Sequence, residues 1–145
     1  VVKNLQVNSS TKYNISKKTV HDVANQLKND FKFDVSSVII NFISCDKIIG
    51  INKKYLRHNF STDIITFNYN GSNSVLEGEI YISFDDAMEN AKKFHVSVQD
   101  EIIRLVIHGF LHLLGFDDKD RKDKIKMKRW ENKLCKVYTS KFRIN

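Results

Sequence analysis

The sequence predicts an α+β fold: a small, mixed, four-stranded sheet packed with helices around one central helix. Three features carry that expectation. Four short runs read as strands, each β-branched and apolar or bounded by turn residues. Five further segments place apolar residues at helical spacing, and three of them open on a serine positioned to cap. One of these helices, Val98 to Leu114, is apolar around most of its circumference, which puts it at the centre of the domain.

Taken in order, residues 2–7 form the first strand. Ser16 then caps a helix through Phe31, with Val20, Val23, Ala24, Leu27 and Phe31 on one face. "SVIINFIS" (37–44) is a buried strand. Asp46 opens a second helix through Tyr55 and Leu56. "IITFNY" (64–69) and "GEIYIS" (78–83) are strands separated by the turn "NGSN". Ser83 and Asp86 have capping-box spacing for a helix to Phe94, and Ser97 with Asp100 repeats that spacing ahead of the central helix. Gly115 stops the central helix. A last amphipathic helix, Arg121 to Tyr138, is expected to bury Ile125, Trp130, Leu134 and Val137. No repeat, low-complexity tract or linker divides residues 1–145, so a single domain is expected.

No apolar run reaches the roughly 18 to 20 residues of a membrane span, and the first residues lack the layout of a signal peptide. Cys45 and Cys135 stand far apart and outside any CxxC spacing; free thiols and a cytoplasmic location are expected. The net charge of +7 is unevenly placed. Residues 119–145 hold eleven basic side chains (Lys119, Arg121, Lys122, Lys124, Lys126, Lys128, Arg129, Lys133, Lys136, Lys141 and Arg143) against three acidic ones. The rest of the chain is close to neutral. Such a stretch is either a solvated helix face or the electrostatic footprint of a polyanion, RNA or DNA.

The chemistry concentrates in "HGFLHLLGFDD", residues 108–118. Histidines at i and i+4 lie on one helix face, so His108 and His112 can bind one ion together. A third ligand cannot follow farther along the same face without leaving the ion. A helix-ending glycine that turns the chain back solves this, and Asp118 stands three residues after Gly115. Asp117 competes for the role, with poorer spacing. The long zinc-protease signature, H-E-x-x-H-x-x-G-x-x-H, has the same framework with a glutamate as base. Here Gly109 occupies that position, which argues against peptide hydrolysis. A metal-bound water remains a nucleophile, because zinc lowers its pKa towards ~7. With a basic flank, the site suits phosphodiester cleavage.

These residues resemble the YbeY family, bacterial metal-dependent endoribonucleases linked to ribosomal RNA maturation and ribosome quality control. The family signature is similar to H-G-x-L-H-L-x-G-[YF]-D-H, matched here at every fixed position but the last. "INKKYLRHNFSTDIITFNY" and "LEGEIYIS" resemble two further family blocks, and the likeness runs over residues 38–135. It implies an α+β fold with the metal helix central, one Zn²⁺ per chain and cleavage of single-stranded or ribosomal RNA. It also implies ribosomal proteins or the small subunit as partners, and no membrane. Two departures stand out. Asp118 replaces the usual third histidine; its charge weakens the ion as a Lewis acid and suits Mn²⁺ and other harder divalent metals as well. The family's arginine after the tyrosine is displaced by one, so a phosphate-contacting role falls on Arg57, after Leu56.

Glu79, at the family's acidic position in "GEI", is a candidate partner for a ligand imidazole. Asp63 is expected to order its loop through a turn or cap, with a place facing the cleft as the alternative. Arg104, one turn before His108, is expected to pair with an acidic neighbour, with the lining of an RNA groove as the alternative. His21, His58 and His95 have no ligand spacing. Two rival readings remain: a ribosome-assembly factor with a structural metal, and a metallopeptidase with a displaced base.

Overall fold

A computed structural model describes residues 1–10 and 12–142. The elements run β1 (Leu5–Ser9), α1 (Lys17–Phe31), β2 (Asp34–Ile43), α2 (Cys45–Leu56), β3 (Ile64–Asn68), β4 (Val75–Ser83), α3 (Phe84–Phe94), α4 (Val98–Leu113) and α5 (Arg121–Phe142). The sheet is four-stranded and mixed, in the order β1-β2-β4-β3. β1, β2 and β4 are parallel, and β3 runs antiparallel along β4 as an edge strand. The expected α+β class is the observed one.

Local signals set most boundaries. Ser16, Ser83 and Ser97 cap α1, α3 and α4, accepting from the amides of Thr19, Asp86 and Asp100. For α2 the cap is Ser44, which accepts from the Lys47 amide; Asp46 sits inside the first turn, where its charge suits the helix N-terminus. β2 and β4 begin earlier than the apolar pattern indicates, because pairing of Asp34 with Val75 carries the ladder through the polar residues Ser37 and Glu77.

α4 is the central helix. Its side chains Ile102, Ile103, Leu105, Val106, Ile107, Phe110, Leu111 and Leu113 are buried against β3, β4, α1, α3 and α5 within one continuous hydrophobic cluster. Two glycines let it approach. A Cβ on Gly78 would lie 2.4 Å from the Phe67 carbonyl oxygen and 2.7 Å from Leu113 Cδ2. A Cβ on Gly109 would lie 2.8 Å from Ile80 Cδ1 and 3.3 Å from Ile64 Cδ1. Gly109 therefore faces the sheet, and the protease base has no room at that position.

α5 departs most from expectation. Ile125 and Val137 are 50% and 56% exposed, whereas Met127, Glu131, Leu134 and Tyr138 are buried. The buried stripe follows helical spacing through Met127, Leu134 and Tyr138 with Glu131 as its one charged member, and Ile125 and Val137 fall outside it. Glu131 is 2% exposed and ion-paired. Trp130 packs at the core margin against Phe31 and Phe116. Arg143, counted in the basic stretch, lies outside the described residues. No described helix is long and apolar enough to cross a membrane.

Candidate metal centre

The end of α4 builds the centre. The last turn closes through Leu114 N to Phe110 O, Gly115 N to His112 O and Phe116 N to Leu111 O. Gly115 has φ +99°, a left-handed conformation that side-chain-bearing residues rarely adopt, and the chain reverses there. The reversal carries Asp118 back over the helix. Its Oδ2 lies 3.5 Å from His112 Nε2 and 3.9 Å from His108 Nε2, and the two imidazole nitrogens are 3.1 Å apart. Bonds of ~2.0–2.2 Å at tetrahedral angles separate neighbouring donors by roughly 3.3–3.6 Å. The three atoms span that range with little movement, so the donor set fits a divalent ion. Asp117 instead accepts the Asp118 amide at 2.7 Å and lines a separate depression with Asp123 and Lys126.

Behind the histidines lies a buried charge network. Glu131 of α5 accepts from His108 Nδ1 at 2.8 Å and from Arg104 Nη1 at 2.6 Å. Arg104 also donates through Nε and Nη2 to Glu101, which is 1% exposed. Asn90 of α3 bonds both Glu101 and Asp63, and Arg104 Nη2 stands 3.7 Å from Asp63. The arginine thus pairs with acidic neighbours, as expected. Burial alone would raise the Glu131 carboxyl, but the bonds from His108 and Arg104 pull it down to about 2. An ionised Glu131 keeps the proton on His108 Nδ1 and leaves the Nε2 lone pair facing Asp118. His112 is lowered by burial and by the neighbouring His108, which favours its neutral, ligating form.

Glu79 does not take this part. Side chains alternate along a strand, and Ile80 faces α4, so Glu79 points to the opposite side of the sheet. There it accepts from the hydroxyls of Tyr69 and Tyr81. The carboxylate that stands beside the His108 imidazole is Glu131. The sequence offered one signal for it: an acidic residue set between Met127, Leu134 and Tyr138 on a helical stripe. Arg57 is the exposed, left-handed C-cap of α2 and is not among the side chains lining the cavities at the histidines.

Two cavities meet at the triad. One, of about 210 Å³, is lined by Thr62, Asp63, Ile64 and Thr66 of the β3 side. The other, of about 420 Å³, runs along α5 past Arg104, Lys124, Ile125 and Lys128. Asp63 therefore faces the cleft as well as ordering its loop. Thr66 Oγ1 is buried there without a hydrogen-bond partner among the described residues.

The family model described as Endoribonuclease YbeY matches residues 2–139. The chain belongs to the YbeY family. Relatives named Endoribonuclease YbeY include one from Parabacteroides distasonis, 34% identical over 85% of this chain and 86% of its own length. Another, from Chlorobaculum parvum, is 36% identical over 88% of this chain and 90% of its own. The solution structure of TM1509 from Thermotoga maritima is similar across 96% of this chain and 91% of its own, with a TM-score of 0.69 and 26% identity. The matched span includes the return loop with Asp118 and the α5 segment that carries Glu131, so the His108–His112–Asp118 cluster and its buried network lie inside the span that matches the family.

Proposed function

We propose that this YbeY-family protein is a zinc-dependent endoribonuclease, a single cytoplasmic domain that cuts single-stranded RNA in ribosomal RNA maturation and quality control. The observation that carries the reading is the convergence of His108, His112 and Asp118 within 4.8 Å at the meeting point of two cavities. Among the described residues only these three donors form such a group, the pattern of a catalytic site rather than a closed structural one. A divalent ion held by them would supply a Lewis acid and an acidified water for phosphodiester hydrolysis. Glu131 fixes the tautomer and direction of His108. Lys124 and Lys128, on the α5 side of the cleft, attract and place the RNA backbone. Thr62 and Thr66 line the other side of the cleft. The packed position of Gly109 stands against the peptidase reading.

The test combines metal content with cleavage. Natively purified protein should carry about one zinc per chain and cut unstructured RNA. His112→Ala and Asp118→Ala should lose metal and cleavage together. Full cleavage by metal-free His112→Ala protein would refute the mechanism. Stoichiometric metal without any RNA cleavage, in the presence or absence of ribosomal subunits, would leave a structural metal in a ribosome-assembly factor.

A further inference from the structure

The sheet face turned away from α4 carries a cluster of aromatic rings that the metal centre does not use. Phe67 extends from β3, Tyr69 from just after its last residue and Tyr81 from β4, while Tyr55 reaches over from the end of α2. Tyr55 meets Phe67 edge-on at 5.7 Å, and Tyr81 meets it at 6.0 Å. Phe67 and Tyr69 are nearly parallel, 6.5 Å apart. Yet Tyr55 and Tyr69 are 58% and 57% exposed. Glu79 holds the cluster in place, one oxygen on the Tyr69 hydroxyl at 3.0 Å and the other on Tyr81 at 2.7 Å. The rings are thus held from beneath, and two of them stay open to solvent.

Positive charge adjoins them. Lys53, Lys54 and Arg57 close α2, with Lys54 Nζ 5.1 Å from the Tyr55 ring centroid. The patch is also continuous with the cleft. Residues 57–63 carry the exposed Phe60, stacked on His58 at 5.1 Å, and then deliver Thr62 and Asp63 to the cleft. β3 itself shows Thr66 to the cleft and Phe67 to the patch, and no described strand lies beyond it.

We infer that this surface is a stacking platform for single-stranded RNA leaving the cleft across the β3 edge. Tyr55 and Tyr69 take unpaired bases, and Lys53, Lys54 and Arg57 take the phosphates between them. Every base has a π-face, so the platform contributes affinity for single strands with little sequence preference. A duplex, with its bases already stacked, gains nothing from it. The basic rim favours a polyanion over a protein surface. The inference rests on the reading of the cleft as an RNA site.

The test uses anisotropy of a labelled oligouridine of about 12 nucleotides, in a His112→Ala background that cannot cut it. Tyr55→Ala and Tyr69→Ala should each weaken binding by roughly tenfold. Tyr69→Phe, which keeps the ring and loses only the bond to Glu79, should bind within about twofold of the parent. If the parent binds but both alanine variants bind equally well, the platform is refuted and the cleft reading survives. No binding by the parent even at low salt removes the RNA reading and this inference with it. Unchanged RNA affinity together with lost self-association or lost protein capture would make the patch a protein interface and overturn the inference.

Discussion

Glu131→Gln separates the metal-orienting part of the buried network from its structural part. The carboxylate receives two donors, His108 Nδ1 at 2.8 Å and Arg104 Nη1 at 2.6 Å, and a glutamine has one oxygen for the two. If that oxygen serves Arg104, the amide nitrogen faces Nδ1. The imidazole must then give up its Nδ1 proton and carry one on Nε2, the atom that faces Asp118. Metal affinity should fall about 10- to 100-fold, the usual range for loss of a partner to a ligand imidazole. The fold should lose less than an orphaned buried charge would cost, about 3–5 kcal/mol. Arg104 keeps Glu101 through Nε at 2.7 Å and Nη2 at 2.6 Å. Loss of one charge-assisted bond sets the expectation at ~2 kcal/mol. Zinc competition against a chromophoric chelator reads the first quantity, and urea unfolding of the metal-free protein reads the second. A variant destabilised by that amount but binding zinc like the wild type would show that Glu131 serves the fold alone.

Three further outcomes follow from the same geometry. Gly78→Ala should destabilise by ~3 kcal/mol, because its Cβ meets a backbone carbonyl at 2.4 Å, whereas Gly109→Ala, pressing on movable isoleucine methyls, should lose only ~1 kcal/mol after its gain in helix propensity; equal urea midpoints for the two would contradict this account of the α4–sheet contact. The Glu131 carboxyl, raised by burial but held net at about 2 by His108 and Arg104, lies below its unfolded value of ~4.3, so its stabilisation is complete above that pH and fades as pH falls towards 2. The stability gap between wild type and Glu131→Gln should therefore narrow between about pH 5 and pH 2.5, and a constant gap would place the ion pair elsewhere. RNA affinity should fall steeply with salt, and replacing Lys124 and Lys128 by glutamine should reduce the log–log slope by about 1–2; an unchanged slope would remove α5 from the RNA path.

The sequence by itself determined what short-range geometry controls. Three serine caps, the i, i+4 pair His108 and His112, the helix stop at Gly115 and the returning Asp118 each depend on neighbours within about one to three helical turns. Backbone geometry alone places those atoms, so spacing is enough to read them. The identity of the central helix was legible too, since a helix apolar on most sides has nowhere else to go.

Tertiary structure decided what depends on contacts between distant segments. Glu131 lies 23 residues from His108, on the buried stripe of α5 that it shares with Met127, Leu134 and Tyr138. The stripe shows that Glu131 is buried, but its partners Arg104 and His108 are chosen only by how α5 packs on α4. Glu79 fails for the complementary reason. Its strand was identifiable, but which face meets α4 is set by strand pairing and by the close approach at Gly78 and Gly109. A one-residue difference along a strand exchanges the two faces. That parity leaves Thr66 in the cleft, and sends Glu79 to the far side to brace the tyrosines.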